Sequence, residues 1–267
     1  MIANKIKEIV NHRKESLKLT REIIRKEDYQ PLTKKKKPLS QSIKECSNIA
    51  IISEIKPASP TLGVIQEHLD IKKISTQMEE AGAVGLSVLT EPNYFQGSYS
   101  NLDIAVKNTS IPCLMKDFVV DEIQFKIASR LGATNILLIN SIIDLERFYD
   151  LAIQYDLEPL IEIHDEKELE DIARLLEIGY SPKLIGVNNR DLQTLKINLD
   201  TSRELIPKIK KELREDLIII SESGIQSYGD IINLKRYKVD AFLIGTLIMQ
   251  SENKTEKIHL LRGKRVD

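Results

Sequence analysis

The sequence predicts an α/β fold, an eight-stranded parallel (βα)8 TIM barrel with an N-terminal helical extension, and three observations lead to it. Apolar runs recur at 49–55, 84–90, 111–116, 135–139, 158–163, 184–188, 217–221 and 240–244. Charged stretches of helical period separate them, and strands alternating with helices argue for a parallel sheet. The chain has 267 residues, close to the roughly 250 usual for such a barrel. A doubly wound open sheet is the alternative, but no Gly-x-Gly-x-x-Gly follows the first run.

The elements follow in order. Residues 2–27 read as helix, with Ile6, Ile9 and Val10 on one face and Leu17, Leu19, Ile23 and Ile24 further on. Lys34-Lys35-Lys36-Lys37-Pro38 reads as a solvated loop, with a cationic flap for an anionic substrate as the functional alternative. Residues 1–48 are therefore an extension, and 49–267 the barrel, of a single domain. The first strand, Ile-Ala-Ile-Ile-Ser-Glu-Ile-Lys, is β-branched and stopped by Pro57 and Pro60. Strand side chains alternate, so Ile52, Glu54 and Lys56 share a face. Helices are expected at 71–81, 121–131, 144–155, 166–178, 201–213 and 228–237. In 166–178 the apolar face is Leu169, Ile172, Ala173 and Leu176.

Composition narrows the function. Hydrophobic residues make up 42% and charged residues 30%, which describes a globular chain rather than a disordered one. A formal net charge of −1 gives no global attraction to nucleic acid. No apolar stretch reaches membrane-spanning length, and Met1 to Val10 lacks a signal-peptide core. Of two cysteines, Cys113 falls inside a strand, which favours a reducing cytoplasm over a disulfide framework. His12, His68, His164 and His259 have no ligand spacing, so no metal is expected, and His164 reads as a loop residue.

Barrel enzymes carry their chemistry at the C-terminal ends of the strands. The ends here are Glu54 and Lys56, then Lys116, Glu162, Asn188 with Arg190, and Glu222. Any one of them is readily a rim salt bridge. Two lysines and three glutamates on one rim suggest tuned acids and bases, since close charges shift each other's pKa. Ser223-Gly224 after the seventh strand and Gly245-Thr246 after the eighth occupy the usual phosphate position of such barrels. Thr246 serves equally well as a plain helix N-cap.

These segments resemble a known family. Ser53-Glu54-Ile55-Lys56-x-x-Ser59-Pro60, Ser87-Val88-Leu89-Thr90-Glu91, Phe95-x-Gly97-Ser98 and Lys116-Asp117-Phe118 resemble indole-3-glycerol-phosphate synthase. So do Glu162-x-His164-Asp165, Asn188-Asn189-Arg190-Asp191-Leu192 and Ser221-Glu222-Ser223-Gly224-Ile225. The match runs from about Ile49 to Met249 in the family's order. The resemblance implies tryptophan biosynthesis: ring closure of 1-(2-carboxyphenylamino)-1-deoxyribulose 5-phosphate with loss of carbon dioxide and water. It implies no metal or organic cofactor, a phosphorylated small molecule as substrate and no obligate protein partner.

By resemblance Lys116 is the general acid and Glu162 handles protons in the dehydration. Lys56 binds substrate, its phosphate included, and shares acid duty. Glu54 and Asn188 orient the substrate, Arg190 and Glu222 line the pocket, and Phe95 packs on the aromatic ring. Ser59, Ser223, Gly224, Gly245 and Thr246 surround substrate and phosphate. Thr246 stands where the pattern has serine, and Pro57 where a basic or polar residue is usual. An ammonium that serves as acid is expected to have its pKa lowered by burial among other cations. Three rival readings remain: a Schiff-base aldolase, a barrel of the phosphoribosyl isomerase or tryptophan synthase α type, and a non-catalytic phosphate-binding barrel.

Overall fold

Continuous β-branched runs, rather than alternating ones, are what a strand buried on both faces requires. In the computed structural model, which describes residues 4–24, 36–66 and 68–264, eight such strands close into a parallel barrel. They are β1 (Ala50–Ile55), β2 (Gly85–Leu89), β3 (Cys113–Lys116), β4 (Asn135–Ile139), β5 (Glu158–Ile163), β6 (Leu184–Asn188), β7 (Ile218–Glu222) and β8 (Ala241–Ile244). Each pairs with its neighbours in sequence, and β1 closes the ring by pairing with both β2 and β8. The architecture is the expected TIM barrel. Ile52, Leu114, Leu137, Leu160, Ile220 and Leu243 fill its interior. Ile51, Val88, Met115, Leu138, Ile161 and Ile219 face the surrounding helices.

The helix caps are local and readable. Asp70, Ser98, Asp144, Ser227 and Asn253 each accept a backbone N–H in the first turn of their helix. Asp121 and Gln124 form a capping box. Among the described residues three helices lie outside the expected ones, Leu39–Lys44, Tyr99–Asn108 and Lys254–Leu261. Tyr99–Asn108 buries only Leu102, Ala105 and Val106, a stripe too short and too small to stand out. In Leu169–Glu177 the buried residues are Leu169, Ile172 and Leu175, with Ala173 and Leu176 half-buried beside them. Among the described residues no helix is long and apolar enough to cross a membrane.

The N-terminal segment closes the barrel at both ends. Helix α1 (Asn4–Ile24) crosses the C-terminal mouth, where Ile6 and Ile9 join the interior cluster. Helix α2 (Leu39–Lys44) plugs the opposite end. Leu39 N donates to Asn135 Oδ1 at 3.1 Å, Ser40 N to Glu158 Oε2 at 2.9 Å, and Ser42 Oγ to the Val84 carbonyl at 2.6 Å. Gly85 makes room for the plug, since a Cβ there would stand 2.7 Å from Leu39 Cδ1. Lys36 belongs to this lower end, donating to Thr109 Oγ1 at 3.2 Å, while Lys37 pairs with Glu45 at 2.7 Å. These two lysines are tied down away from the mouth, so neither is a cationic flap; Lys34 and Lys35 lie outside the described residues. The side chains of Leu19, Ile23 and Ile24 also lie outside them.

Leu39 is 1% exposed, so Leu39→Ala should remove the plug's main apolar contact and cost about 2–5 kcal/mol. Urea unfolding measures this, and an unchanged midpoint would show that the lower end is held by its polar contacts alone.

Candidate active site

At the C-terminal ends of the strands lies a cavity of about 520 Å³. Its floor is apolar, from Leu137, Ile139 and Leu243, and its walls carry Glu54, Lys56, Lys116, Glu162, Asn188, Arg190 and Glu222. Strand register explains the convergence. Lys116 pairs with Leu89, Glu162 with Ile139, and Asn188 with Glu222, so these side chains emerge at one level on the inner face.

Lys116 is the hub. Its Nζ lies 2.7 Å from Glu222 Oε2 and 3.3 Å from Glu162 Oε2. Lys56 Nζ pairs with Glu54 Oε1 at 2.6 Å. Two glycines make the crowding possible. A Cβ on Gly186 would stand 2.2 Å from Glu222 Oε1, and one on Gly245 would stand 2.3 Å from Glu54 Oε1. Gly245 is thus bare to admit a carboxylate, and a bulky residue there would disturb Glu54 before it disturbed any anion.

The electrostatics correct one expectation. The surroundings of Lys116 are anionic, not cationic. Burial alone would lower its pKa, but Glu222, Glu162 and Glu54 outweigh burial and raise it well above the ordinary lysine value. The carboxylates divide the opposite way. Glu162, despite burial, is held far below the usual range by Lys116, by His164 and by a hydrogen bond from Asn188. Glu222 is pushed up to about 7 by burial, reinforced by Glu162. Glu54 is lowered, since Lys56 and Lys116 outweigh its burial. Arg190 is lowered by burial; it donates through Nη1 to the Leu195 carbonyl at 3.0 Å, and its backbone N–H donates to Asn188 Oδ1 at 3.0 Å.

The remaining sequence candidates are placed as follows. Phe95 lines the cavity 6.2 Å from Phe118, ring to ring. Ser223, Gly224, Gly245 and Thr246 line it together on the side of β7 and β8. Ser223 and Gly224 have φ of 66° and 89°, a left-handed pair that turns the loop sharply. Ser59 does not line the cavity. Its Oγ accepts the Leu62 N–H at 3.2 Å inside a small hairpin, Ala58–Ser59 against Gly63–Val64, and Pro60, Thr61 and Leu62 form the wall. Pro57 anchors that hairpin by accepting from Ile65 N at 2.8 Å.

Four supporting residues, Arg13, Thr90, Glu91 and His164, have no role in the sequence reading. Arg13 of α1 grips Asp117 with two bonds, Nε to Oδ1 at 2.8 Å and Nη2 to Oδ2 at 2.6 Å, and reaches the Tyr99 hydroxyl at 2.6 Å. Thr90 also donates to Asp117, at 2.6 Å. Glu91 is fully buried and accepts the N–H groups of Asn93, Tyr94 and Phe95, which fixes the Phe95 loop. His164 is a loop residue, as expected, just past β5, and its Nε2 lies 3.1 Å from Glu162 Oε1. Its signal was present in the period: His164 follows Glu162 by two, the spacing of one strand face.

The Arg13–Asp117 pair is essentially sealed, with side chains 2% and 0% exposed. Arg13→Met should therefore strand a buried carboxylate and cost about 3–5 kcal/mol, and adding Asp117→Asn should recover part of it. Thermal unfolding of the single and double variants decides. Equal losses in both would mean that packing, not charge, is what Arg13 supplies.

A cavity with this charged rim, this barrel and this sequence order can be compared with known proteins. A family model described as indole-3-glycerol phosphate synthase matches residues 6–261. The indole-3-glycerol phosphate synthase of Methanocaldococcus jannaschii is 45% identical over 265 residues, 97% of this chain and 96% of its own. That of Nautilia profundicola is 37% identical over 271 residues, 99% of each chain. That of Bacillus mycoides is 38% identical over 230 residues, covering 85% of this chain and 87% of its own. With a match that spans the barrel and the helix above it, the chain belongs to the indole-3-glycerol phosphate synthase family.

Proposed function

We propose that this chain closes the indole ring of 1-(2-carboxyphenylamino)-1-deoxyribulose 5-phosphate, with Lys116 as the acid and Glu162 as the base. Membership of the family carries the reaction, a carboxy-lyase step of tryptophan biosynthesis. The observation that carries the residue roles is the position of the Lys116 ammonium, 2.7 Å from Glu222 and 3.3 Å from Glu162 at the wall of the cavity.

The chemistry runs in three stages. The aryl carbon bearing the carboxylate attacks the ribulose carbonyl, and negative charge grows on the carbonyl oxygen. Lys116 stabilises that charge and gives its proton to it, leaving a hydroxyl. The carboxylate then departs as carbon dioxide and returns its electron pair to the ring. Finally the hydroxyl leaves as water on receiving a proton, while the neighbouring ring CH2 loses one to Glu162. Because a carboxylate anion becomes neutral carbon dioxide, each turnover takes one proton from solvent. Glu222, with its pKa near neutrality, is suited to hold such a proton beside Lys116. Glu54 and Asn188 orient the reacting chain, Arg190 and Phe95 face the anthranilate part, and Lys56 with Ser223, Gly224, Gly245 and Thr246 faces the phosphate.

The Schiff-base reading is disfavoured, since a nucleophilic lysine must shed its proton and three carboxylates hold the proton on Lys116. The free thiols of Cys46 and Cys113 agree with a reducing compartment, the cytoplasm in our reading.

Lys116→Met keeps length and apolar stem but removes proton and charge. We expect a folded protein with kcat lower by about 10²–10⁴-fold, read from indole fluorescence after adding the ribulose phosphate; turnover near wild type would sink the assignment. Inorganic phosphate should compete with the substrate, and Lys56→Met should raise its inhibition constant. Phosphate that inhibits the Lys56→Met protein as well as the wild type would remove Lys56 from the phosphate site.

A further inference from the structure

The two carboxylates that flank Lys116 have unequal surroundings. Glu222 offers one oxygen to Lys116, while its other oxygen, Oε1, is buried without a hydrogen-bond partner. Glu162 accepts from Lys116 through Oε2 at 3.3 Å, while its Oε1 lies 3.1 Å from His164 Nε2, a charge contact without hydrogen-bond alignment. The far side of the same imidazole faces a second carboxylate, with Nδ1 3.6 Å from Glu168 Oε2. Glu168 is itself fixed, because Oε2 accepts the His164 backbone N–H at 3.0 Å. The His164 side chain is only 7% exposed, so solvent does little to screen these contacts.

We propose that His164 is a positioning residue of the ring-closure reaction: clamped between Glu162 and Glu168, it sets a positive charge against Glu162 and so decides that Glu162, not Glu222, is the base. This rests on the reaction proposed above. A general base must be ionised when the substrate arrives, and two carboxylates around one ammonium compete for the proton that only one of them needs to lose. The shared ammonium does not make Glu162 the base, since it stands nearer to Glu222, at 2.7 Å, than to Glu162, at 3.3 Å. The asymmetry comes from the imidazole, with Asn188 beside it, on one side and an unpartnered oxygen on the other.

Among the described residues three carboxylates act on His164, and Lys116 stands beyond Glu162 on its other oxygen. The carboxylates are Glu162 on β5, Glu168 on the following turn, and Asp191 on the loop after β6, whose carboxyl is itself stabilised in part by the His164 charge. Burial works against a charged imidazole, but the close carboxylates of Glu162 and Glu168 outweigh it and push the pKa up to about 10. The sign for catalysis follows. Removing the cation raises the pKa of Glu162, so the acid side of the kcat profile must move to higher pH. In the wild type the imidazole stays charged until pH rises through about 10.

The test is the pH dependence of kcat in His164→Gln, which keeps a side-chain donor and discards the charge. We expect the acid limb of kcat to move up by about one pH unit or more, with little change in KM. His164→Lys, which restores a cation, should bring the acid limb back toward the wild type. If His164→Gln does not fold, Glu168→Gln answers the same question: it weakens the hold on the imidazole, so the alkaline limb should move down. An unshifted profile in the variant that folds overturns the proposal. The free protein gives a readout that needs no turnover, the 13C titration of the Glu162 carboxyl. A shift there on His164→Gln supports the proposal even if the wild type fails to turn over the ribulose phosphate, and its absence counts against His164 whatever the substrate proves to be.

Discussion

The Lys116 ammonium sits largely out of water and must remain charged there, and the rest of the mouth is arranged around that requirement. Moving an ammonium out of water is costly unless it is paired, and Glu222 and Glu162 supply the pairing. The pairing creates a second problem, since carboxylates gathered this closely repel one another. The structure answers with further cations, Lys56 on Glu54 and His164 on Glu162, and with space, in the missing side chains of Gly186 and Gly245. The glycines are as much a part of the charge arrangement as the charged residues.

Much of the barrel is legible in the sequence because strands buried on both faces leave uninterrupted apolar runs. Their charged ends are equally visible, as at Glu54, Lys116 and Glu222. What could not be read were the pairings. Periodicity lists lysines and glutamates along one rim, but it does not say which stand side by side. The expectation of a cationic neighbourhood for Lys116 failed for that reason. Arg13 and Asp117 are 104 residues apart, and no local pattern joins them. The plug was hidden in the same way, because Leu39 and Ser40 are ordinary residues until Asn135 and Glu158 are brought beneath them. The helix over Tyr99–Asn108 was missed for a different reason, a buried stripe of small residues that gives little amphipathic contrast.

The two ends of the barrel solve opposite tasks with one kind of element. At the lower end α2 brings Leu39 and Ile43 into the apolar interior and satisfies its leading N–H groups on Asn135 and Glu158, which leaves that end sealed. At the upper end α1 contributes Ile6 and Ile9 to the cavity wall, with Lys5 beside them, and keeps an opening. Arg13 fastens this helix to Asp117, the residue next to Lys116. A shift of α1 is therefore felt one peptide away from the reacting ammonium.

The plug also has a bearing on the order in which the chain acquires its structure. Residues 39–44 leave the ribosome before most of the barrel exists, yet their anchors lie 96 residues on, at Asn135, and 118 residues on, at Glu158. Until β5 has been made, Leu39 and Ile43 have no socket, and Arg13 waits similarly for Asp117. Contacts this distant in sequence are slow to form, because the loop between them must first be closed. A segment that precedes its anchors by about a hundred residues is thus among the last parts of the barrel to dock, and until then its apolar face has no partner.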